Sequence, residues 1–200
     1  MDKTIKNEKG FSLIETILAL CAVLIIGMAG YLVHKNNHKP STTSGSILNT
    51  STHLDWVSYS SKDGNYKAMF PNSPQSLAPT NETASDGTTY TINGVYTSED
   101  TTAFGVVYTA NIKGSSLDNS IESEMQAVQN GRIVATKNIS VSGYPAKSYQ
   151  VVGTTKEGNK ATVTGEVVAT SSLIYNATAF QINEISPNTQ YFLNSFKVGH

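Results

Sequence analysis

A single carboxylate interrupts a long apolar stretch near the start of the chain. From residue 11 to residue 33 nearly every side chain is apolar or small, and the polar exceptions are Ser12, Glu15 and Thr16. Burying an unpaired charge in lipid costs on the order of 2.5–3.5 kcal/mol even on lenient insertion scales. Glu15 therefore needs a partner for its charge or a function that retains it.

The apolar stretch is long enough to cross a membrane. A helix over residues 11–33 would rise about 1.5 Å per residue and so span a hydrocarbon core of about 30 Å. Lys3, Lys6 and Lys9 precede the stretch, whereas only Lys35 and Lys39 follow it closely. This weak positive-inside bias predicts a cytoplasmic N-terminus and a C-terminal domain on the other side of the membrane.

The residues around Glu15 form a motif with a defined spacing. Residues 1–10 are a short hydrophilic segment that ends in Gly10; Phe11 follows, and Glu15 is four residues further on. In these features the N-terminus resembles that of the type IV prepilins. The resemblance implies that a prepilin peptidase cuts the bond between Gly10 and Phe11 and then methylates the new amino group of Phe11. It also implies that Glu15 neutralises the amine of a neighbouring subunit, which would offset the cost of burying both charges.

Two other interpretations of the N-terminus are open. An uncleaved signal anchor also has an apolar helix, but it has no need of Gly10, Phe11 and Glu15 together. A secretory signal peptide has an apolar core of about 7–15 residues and a small-residue cleavage site after it. Here the apolar stretch is longer and the motif precedes it. We therefore expect a methylated, single-pass membrane protein whose leader is cytoplasmic.

A polar linker is predicted over residues 34–53. The segment is rich in Ser, Thr and Asn, and Pro40 disfavours a helical conformation in the residue before it. In typical pilins the first helix continues for several turns and packs into a sheet, but this sequence has no amphipathic continuation. The departure leaves open whether the chain enters a surface filament or only tethers an exported domain over residues 54–200.

The composition of that domain excludes some classes of function. From residue 54 onward there are 9 Lys or Arg and 12 Asp or Glu, a net charge of −3. Without a basic patch, nucleic-acid binding has no electrostatic support. The only cysteine, Cys21, lies in the apolar stretch, so the domain has no disulfide.

The pattern after residue 54 predicts an α+β domain, in which an antiparallel sheet is accompanied by a middle helix and a short C-terminal helix. Alternating side chains and turn residues predict strands at 56–59, 66–70, 88–96, 103–112, 139 with 144–152, 161–169 and 173–182. Residues 75–87 are expected to form a loop. The helices are predicted over 117–130, with Gly131 as the cap, and from Ser186 as N-cap with Pro187 in the first position.

Three short features carry a second resemblance. They are the Phe70-Pro71-x-x-Pro74 segment, the Gly143-Tyr144-Pro145 turn and the Ser195-Phe196 ending of the last helix. In these features and in the order of its elements the domain resembles the PsbP/Mog1-like α/β/α sandwiches of small exported bacterial domains. Because members of that family mostly bind or scaffold, the resemblance implies no catalytic chemistry.

Residues that could support catalysis or bind a metal are sparse. His53 and His200 stand at the two ends of the domain and none lies between, so a catalytic triad has no internal base. No two histidines have a zinc-ligand spacing. Adjacent Glu99 and Asp100 could contribute to a calcium site, but such pairs in turns are usually solvated. Glu122 and Glu124, two residues apart, are expected on different faces of a helix. We expect no cofactor, no metal site and no enzymatic activity.

Two functional hypotheses follow. The first is a pilin-like protein processed by a prepilin peptidase and acting as a minor pilin or as a component of a pilus or secretion system, with other pilins as partners. The alternative is a tethered cell-surface binding module that never assembles. An exported hydrolase is a weaker third hypothesis, because the sequence supplies no base or metal set. The ten tyrosines are expected to serve mainly in sheet packing.

Overall fold

The computed structural model describes residues 55–61, 65–83, 87–112 and 115–199, and strands predominate in them. The predicted leader (1–10), apolar helix (11–33) and linker (34–53) lie outside the described residues. The candidate site residues Gly10, Phe11 and Glu15 lie outside them as well. Among the described helices, neither is long and apolar enough to span a membrane.

Eleven strands and two helices occur in the described ranges, with six strands before the first helix and four between the two helices. In chain order they are β1 (Val57–Ser60), β2 (Tyr66–Phe70), β3 (Gln75–Ser76), β4 (Thr80–Thr83), β5 (Thr89–Glu99), β6 (Thr102–Ala110), α1 (Leu117–Gln126), β7 (Gln129–Val141), β8 (Tyr144–Thr154), β9 (Lys160–Ala169), β10 (Leu173–Ile182), α2 (Asn188–Ser195) and β11 (Lys197–Val198). All strand pairs are antiparallel. The predicted antiparallel α+β domain with a middle and a C-terminal helix is confirmed.

An eight-stranded sheet forms the centre of the domain. Its strands lie in the order β3-β5-β6-β10-β9-β8-β7, and β4 also pairs with β5. β10 is an interior strand that pairs with β6 on one side and β9 on the other. Every residue of β10 from Ile174 to Ile182 is buried, as expected for a strand covered on both faces.

Alternate residues of β10 contribute to two different cores, because successive side chains point to opposite faces of a sheet. Tyr175, Ala177 and Ala179 belong to the first core. Ile174 and Phe180 belong to the second. The eight-stranded sheet is therefore the middle layer of a three-layer arrangement.

The first face of the sheet is covered by α2 and by a separate three-stranded sheet of order β1-β2-β11. The ring of Phe192 on α2 lies 5.3 Å from that of Phe70 on β2 and 5.3 Å from that of Phe104 on β6. Tyr66 on β2 lies 6.1 Å from Tyr175 on β10. These contacts confirm the packing role expected for Tyr66 and Tyr175.

The second face is covered by α1. Ile121 of this helix is buried in the second core beside Val151 and Val163. The helix begins after Ser116, whose hydroxyl oxygen accepts a hydrogen bond from the backbone N–H of Asn119 at 3.0 Å. This N-cap satisfies one of the amide groups that a helix start leaves without a partner.

The predicted extent of α1 is wrong at its C-terminal end. The helix ends at Gln126 with Ala127 as its C-cap, and Gly131 lies in the following strand. A Cβ at Gly131 would come within 1.9 Å of the Met125 carbonyl oxygen, so a side chain has no space there. Pairing with β8 places residues 129–141 in a long strand of which the sequence indicated only Ile139.

Two smaller differences also result from long-range contacts. Residues 75–87, predicted as loop, contain β3 and β4, which exist because their backbone groups pair with β5. The last helix starts at Asn188, one residue later than predicted, and Pro187 is its N-cap. The hydroxyl of Ser186 still accepts a hydrogen bond from the backbone N–H of Asn188, at 3.2 Å.

The closure of both faces leads to a prediction about the isolated domain. A fragment of residues 54–200 should unfold cooperatively on heating, because the two layers that cover the sheet both come from within it. If a preceding helix completed the core, its loss would expose several side chains at roughly 1.5–3 kcal/mol each, enough to unfold a domain stable by about 5–15 kcal/mol. Calorimetry tests this, with the full chain as control. An aggregated or molten fragment would show that residues before 54 contribute to the core.

Candidate functional site

A buried polar cluster lies between α1 and the sheet. It consists of Glu124 on α1, Tyr149 on β8, and Asn176 and Thr178 on β10, and all four are buried. The Asn176 side-chain amide donates to Glu124 Oε1 at 2.6 Å. The Tyr149 hydroxyl lies 2.9 Å from Asn176 Oδ1 and 2.9 Å from Thr178 Oγ1. The cluster joins the helix to two strands by side-chain hydrogen bonds.

The strand register brings the three strand residues together. Tyr149 is directly opposite Gly165 on β9, and Gly165 is directly opposite Thr178 on β10. The tyrosine therefore reaches across β9 to arrive at Asn176. A Cβ at Gly165 would lie 2.5 Å from the Tyr149 hydroxyl oxygen, so only glycine leaves the path open.

Glu124 lies on the buried stripe of α1, where an acidic residue is unusual. Residues three and four apart share one face of a helix, and Glu124 follows the buried Ile121 by three and the buried Ser120 by four. The expected difference in orientation between Glu122 and Glu124 is confirmed, since Glu122 is exposed while Glu124 is only 2% exposed. Its burial beside a polar partner was not predicted from the sequence, although the helical spacing was available as a signal.

Burial raises the pKa of Glu124 to about 8, against the lowering effect of the hydrogen bond from Asn176. The carboxyl group is therefore mostly protonated at neutral pH. Burial also raises the pKa of Tyr149, and the nearby Glu124 adds to the increase. The cluster is thus uncharged at neutral pH, which reduces the cost of keeping it away from water.

The arrangement is suited to positioning α1 against the sheet. Glu124 Oε2 is buried without a hydrogen-bond partner, and the surrounding side chains belong to the second core.

Within residues 55–199 as described, no group of three His, Cys, Asp or Glu could hold a metal ion. Glu99 accepts a hydrogen bond from Asn188 at 2.9 Å, and Asp100 is a turn residue with φ 50°.

A concave groove of about 500 Å³ lies on the opposite face of the sheet, over β7, β8 and β9 beside α2. We call it the β7–β9 groove. The strands contribute Lys137, Ile139, Ser148, Gln150, Thr164 and Glu166, and α2 contributes Gln190 and Leu193. β8 thus carries Tyr149 of the buried cluster on one face and Ser148 and Gln150 of the groove on the other.

Glu166 is the acidic residue of the groove. Partial burial raises the pKa of its carboxyl group, and the positive charge of Lys197 on β11 acts in the opposite direction. The hydroxyl oxygen of Thr164 is buried without a hydrogen-bond partner. With amide, hydroxyl and charged groups beside Ile139 and Leu193, the groove is suited to binding a molecule that is partly polar and partly apolar.

No protein-family model and no curated protein matches the chain. Several solved structures resemble it distantly, among them the three that follow. LpqN, involved in cell envelope biogenesis of Mycobacterium tuberculosis, has 13% identity and a TM-score of 0.40, with 86% of this chain and 97% of that chain covered. The PsbP of the cyanobacterium Synechocystis has 9% identity and a TM-score of 0.40, with 78% of this chain and 98% of that chain covered. A Pseudomonas aeruginosa protein of unknown function, a putative regulator, has 7% identity and a TM-score of 0.32, with 63% of this chain and 82% of that chain covered.

The buried carboxyl group predicts a specific pH dependence of stability. The folded-state pKa of Glu124, about 8, exceeds the ordinary value of 4.5. The folded protein therefore holds a proton that the unfolded chain releases, and stability should fall as pH rises from about 4.5 to about 8. The slope from this group is at most about 1.4 kcal/mol per pH unit. Glu124→Gln keeps an oxygen for Asn176 but has no proton to lose. Its free energy of unfolding should therefore fall less steeply with pH, and its stability relative to the wild type should be highest near pH 8.

Urea unfolding of the full chain at several pH values between 5 and 9 measures this difference. Glu122→Gln makes the same chemical change at an exposed position of α1 and should retain the wild-type pH dependence. If the free energies of unfolding of wild type and Glu124→Gln changed with pH in parallel, the pKa of the Glu124 carboxyl would be the same in the folded and unfolded states, and the prediction would be wrong.

Proposed function

We propose that this chain is a membrane-anchored, pilin-like protein that a prepilin peptidase processes and whose C-terminal domain is exported. The observation that carries the proposal is the combination of Gly10, Phe11 and Glu15 at the start of the apolar stretch over residues 11–33. A small residue before the scissile bond, an apolar helix after it and one carboxylate in the first two turns each have a role in that process. The proposed partners are the prepilin peptidase, which also acts as methyltransferase, and other pilins.

The proposed role of Glu15 is electrostatic. Its carboxylate would pair with the methylated amine of Phe11 on a neighbouring subunit, so that two charges are buried together instead of separately. A buried charge without its partner is strongly destabilising. The pairing would thus favour helices that enter the assembly side by side in a defined register.

For the exported domain we propose a binding or scaffolding role in a minor pilin or a related pilus or secretion component. The β7–β9 groove presents hydroxyl, amide and charged groups to a partner, and the buried cluster joins α1 to the sheet behind it. We also propose that the domain is a PsbP/Mog1-like sandwich. The order of its elements supports this, from the first hairpin ending in Phe70-Pro71 to the last helix ending in Ser195.

The alternative is a tethered binding module at the cell surface that does not join a filament. The composition of residues 34–53 favours it, because a segment rich in Ser, Thr and Asn that contains Pro40 is typical of a linker. Both proposals require processing and export. They differ only in whether the mature protein is found in filaments.

Cleavage can be tested with one substitution. Gly10→Val should abolish processing because it places a branched side chain where the peptidase accommodates a small residue. Mass spectrometry of the chain from cells with an active prepilin peptidase should show a methylated N-terminal Phe11 for wild type and an intact leader for the variant. Gly30→Val, the same exchange outside the motif, should still be cleaved. An intact Met1 leader on the wild-type chain would refute the proposal.

Assembly is tested separately from cleavage. Glu15→Val should be cleaved normally but lost from filaments, because the amine of a neighbouring subunit would then have no counter-charge. The measurement compares sheared filaments with the membrane fraction for wild type and variant. A mature wild-type protein that stays with membranes and is missing from the filaments would favour the tethered module instead.

A further inference from the structure

β7 forms one edge of the eight-stranded sheet, and in the described ranges no strand pairs with its outer side. It has 13 residues. The opposite edge differs, because β5 is covered there by the two-residue β3 and the four-residue β4. Long edge strands expose rows of backbone N–H and C=O groups, and natural proteins usually shorten or cover them. The length of β7 therefore calls for an explanation.

The two halves of β7 differ in regularity. The pairing with β8 shifts register between Gln129 and Arg132 and again between Ile133 and Ala135. Such bulges bend a strand and disturb its outer edge. From Ala135 to Val141 the pairing is regular. A seven-residue segment, 135–141, is therefore left as a template for another strand.

The charge of β7 indicates what such a strand would carry. Arg132 and Lys137 are exposed, and no acidic residue occurs in β7. Like charges directly opposite each other on paired strands are destabilising, whereas opposite charges are favourable. A second copy of residues 135–141 would bring another lysine and no acidic residue to the interface. The linker over residues 34–53 is also a poor match, since it contains two lysines and no Asp or Glu.

The β7–β9 groove adds a site for side chains. Ala135, Lys137 and Ile139 point from β7 into the groove, and Gln190 and Leu193 of α2 line its other side. A strand added to β7 would supply the missing wall. Its alternate side chains would then lie beside Lys137 and Ile139, while the side chains between them would lie on the other face of the sheet, beside Thr136 and Asn138.

We propose that residues 135–141 of β7 receive an extended acidic segment of a partner polypeptide by β-strand addition. Backbone hydrogen bonds supply the affinity in this mode, and the alternate side chains supply the specificity. The partner segment carries an acidic residue opposite Lys137 and β-branched residues opposite Ala135 and Ile139. This proposal rests on the geometry of residues 129–193 and does not depend on cleavage at Gly10, so either proposal can fail alone.

The test uses the purified full chain in a non-ionic detergent and a seven-residue peptide, Thr-Val-Thr-Glu-Thr-Val-Thr. Because this sequence is symmetric, its Glu reaches Lys137 in either strand direction. The peptide should slow hydrogen exchange of the outward-facing amides among residues 135–141. Replacing its Glu with Lys should weaken binding by about tenfold, since an attraction becomes a repulsion. A scrambled peptide, Val-Val-Thr-Thr-Thr-Thr-Glu, has the same charge without the alternation and should give no protection.

Lys137→Glu should invert the preference, so that the Lys peptide binds more tightly than the Glu peptide. Lys160→Glu makes the same charge change at an exposed position of β9 and should leave the preference as it is. The proposal is overturned if millimolar Glu peptide leaves the amides of 135–141 unprotected, or if the scrambled peptide protects them equally. It is also overturned if Lys160→Glu changes the preference as much as Lys137→Glu does. Should Lys137→Glu fail to fold, the three peptides on the wild-type chain decide alone.

Discussion

The central strand β10 must be covered on both faces, and the rest of the domain follows from this requirement. Its residues from Ile174 to Ile182 are all buried. Full burial of an apolar side chain such as Phe180 stabilises the fold by roughly 1.5–3 kcal/mol. If only one face of the sheet were covered, the side chains on the other face would lose this gain. The helix α1 covers one face, and α2 with the small sheet β1-β2-β11 covers the other. The covering elements on each face bury their apolar side chains against β10, and β10 is fully buried only when both faces are covered.

The buried polar cluster modifies this arrangement at a cost. An apolar core would accommodate α1 at several rotations and positions along the sheet, since apolar contacts have little directionality. Glu124 and Asn176 form a directed hydrogen bond that is satisfied in one position of the helix. Such polar groups contribute specificity in some proteins, at the expense of desolvation. The raised pKa of Glu124 shows how this cost is reduced, because protonation removes the charge.

The two faces of β8 and β9 thus have different roles. Toward α1, β8 carries Tyr149 of the buried cluster, and β9 carries Gly165, whose lack of a side chain leaves space for the tyrosine. Toward α2 they carry Ser148, Gln150 and Glu166, whose polar atoms line the β7–β9 groove. Because side chains alternate along a strand, a rigid buried face positions the exposed face next to it. The strand β7 extends this surface to the edge of the sheet, where backbone groups are available as well.

Local patterns were sufficient for much of the fold. Alternation and turn residues indicated β2, β6, β9 and β10 within a residue or two, and they also indicated the start of α1. The turn between β7 and β8 lies at Ser142 and Gly143, both with positive φ, whereas Tyr144 and Pro145 of the expected Gly143-Tyr144-Pro145 turn belong to β8. The N-terminal motif at Gly10, Phe11 and Glu15 is likewise a purely local pattern. It stays a prediction, because those residues lie outside the described ranges.

Only the tertiary structure decided the features that depend on distant partners. β7 has exposed side chains on both faces for most of its length, so it lacks the periodicity that marks a half-buried strand, and its pairing with β8 alone defines it. The polar cluster escaped prediction for a related reason. A carboxyl on an apolar helical stripe and a polar pair in a buried strand each look unfavourable in isolation. They become favourable together only when the fold places Glu124 within hydrogen-bond distance of Asn176, 52 residues away in sequence.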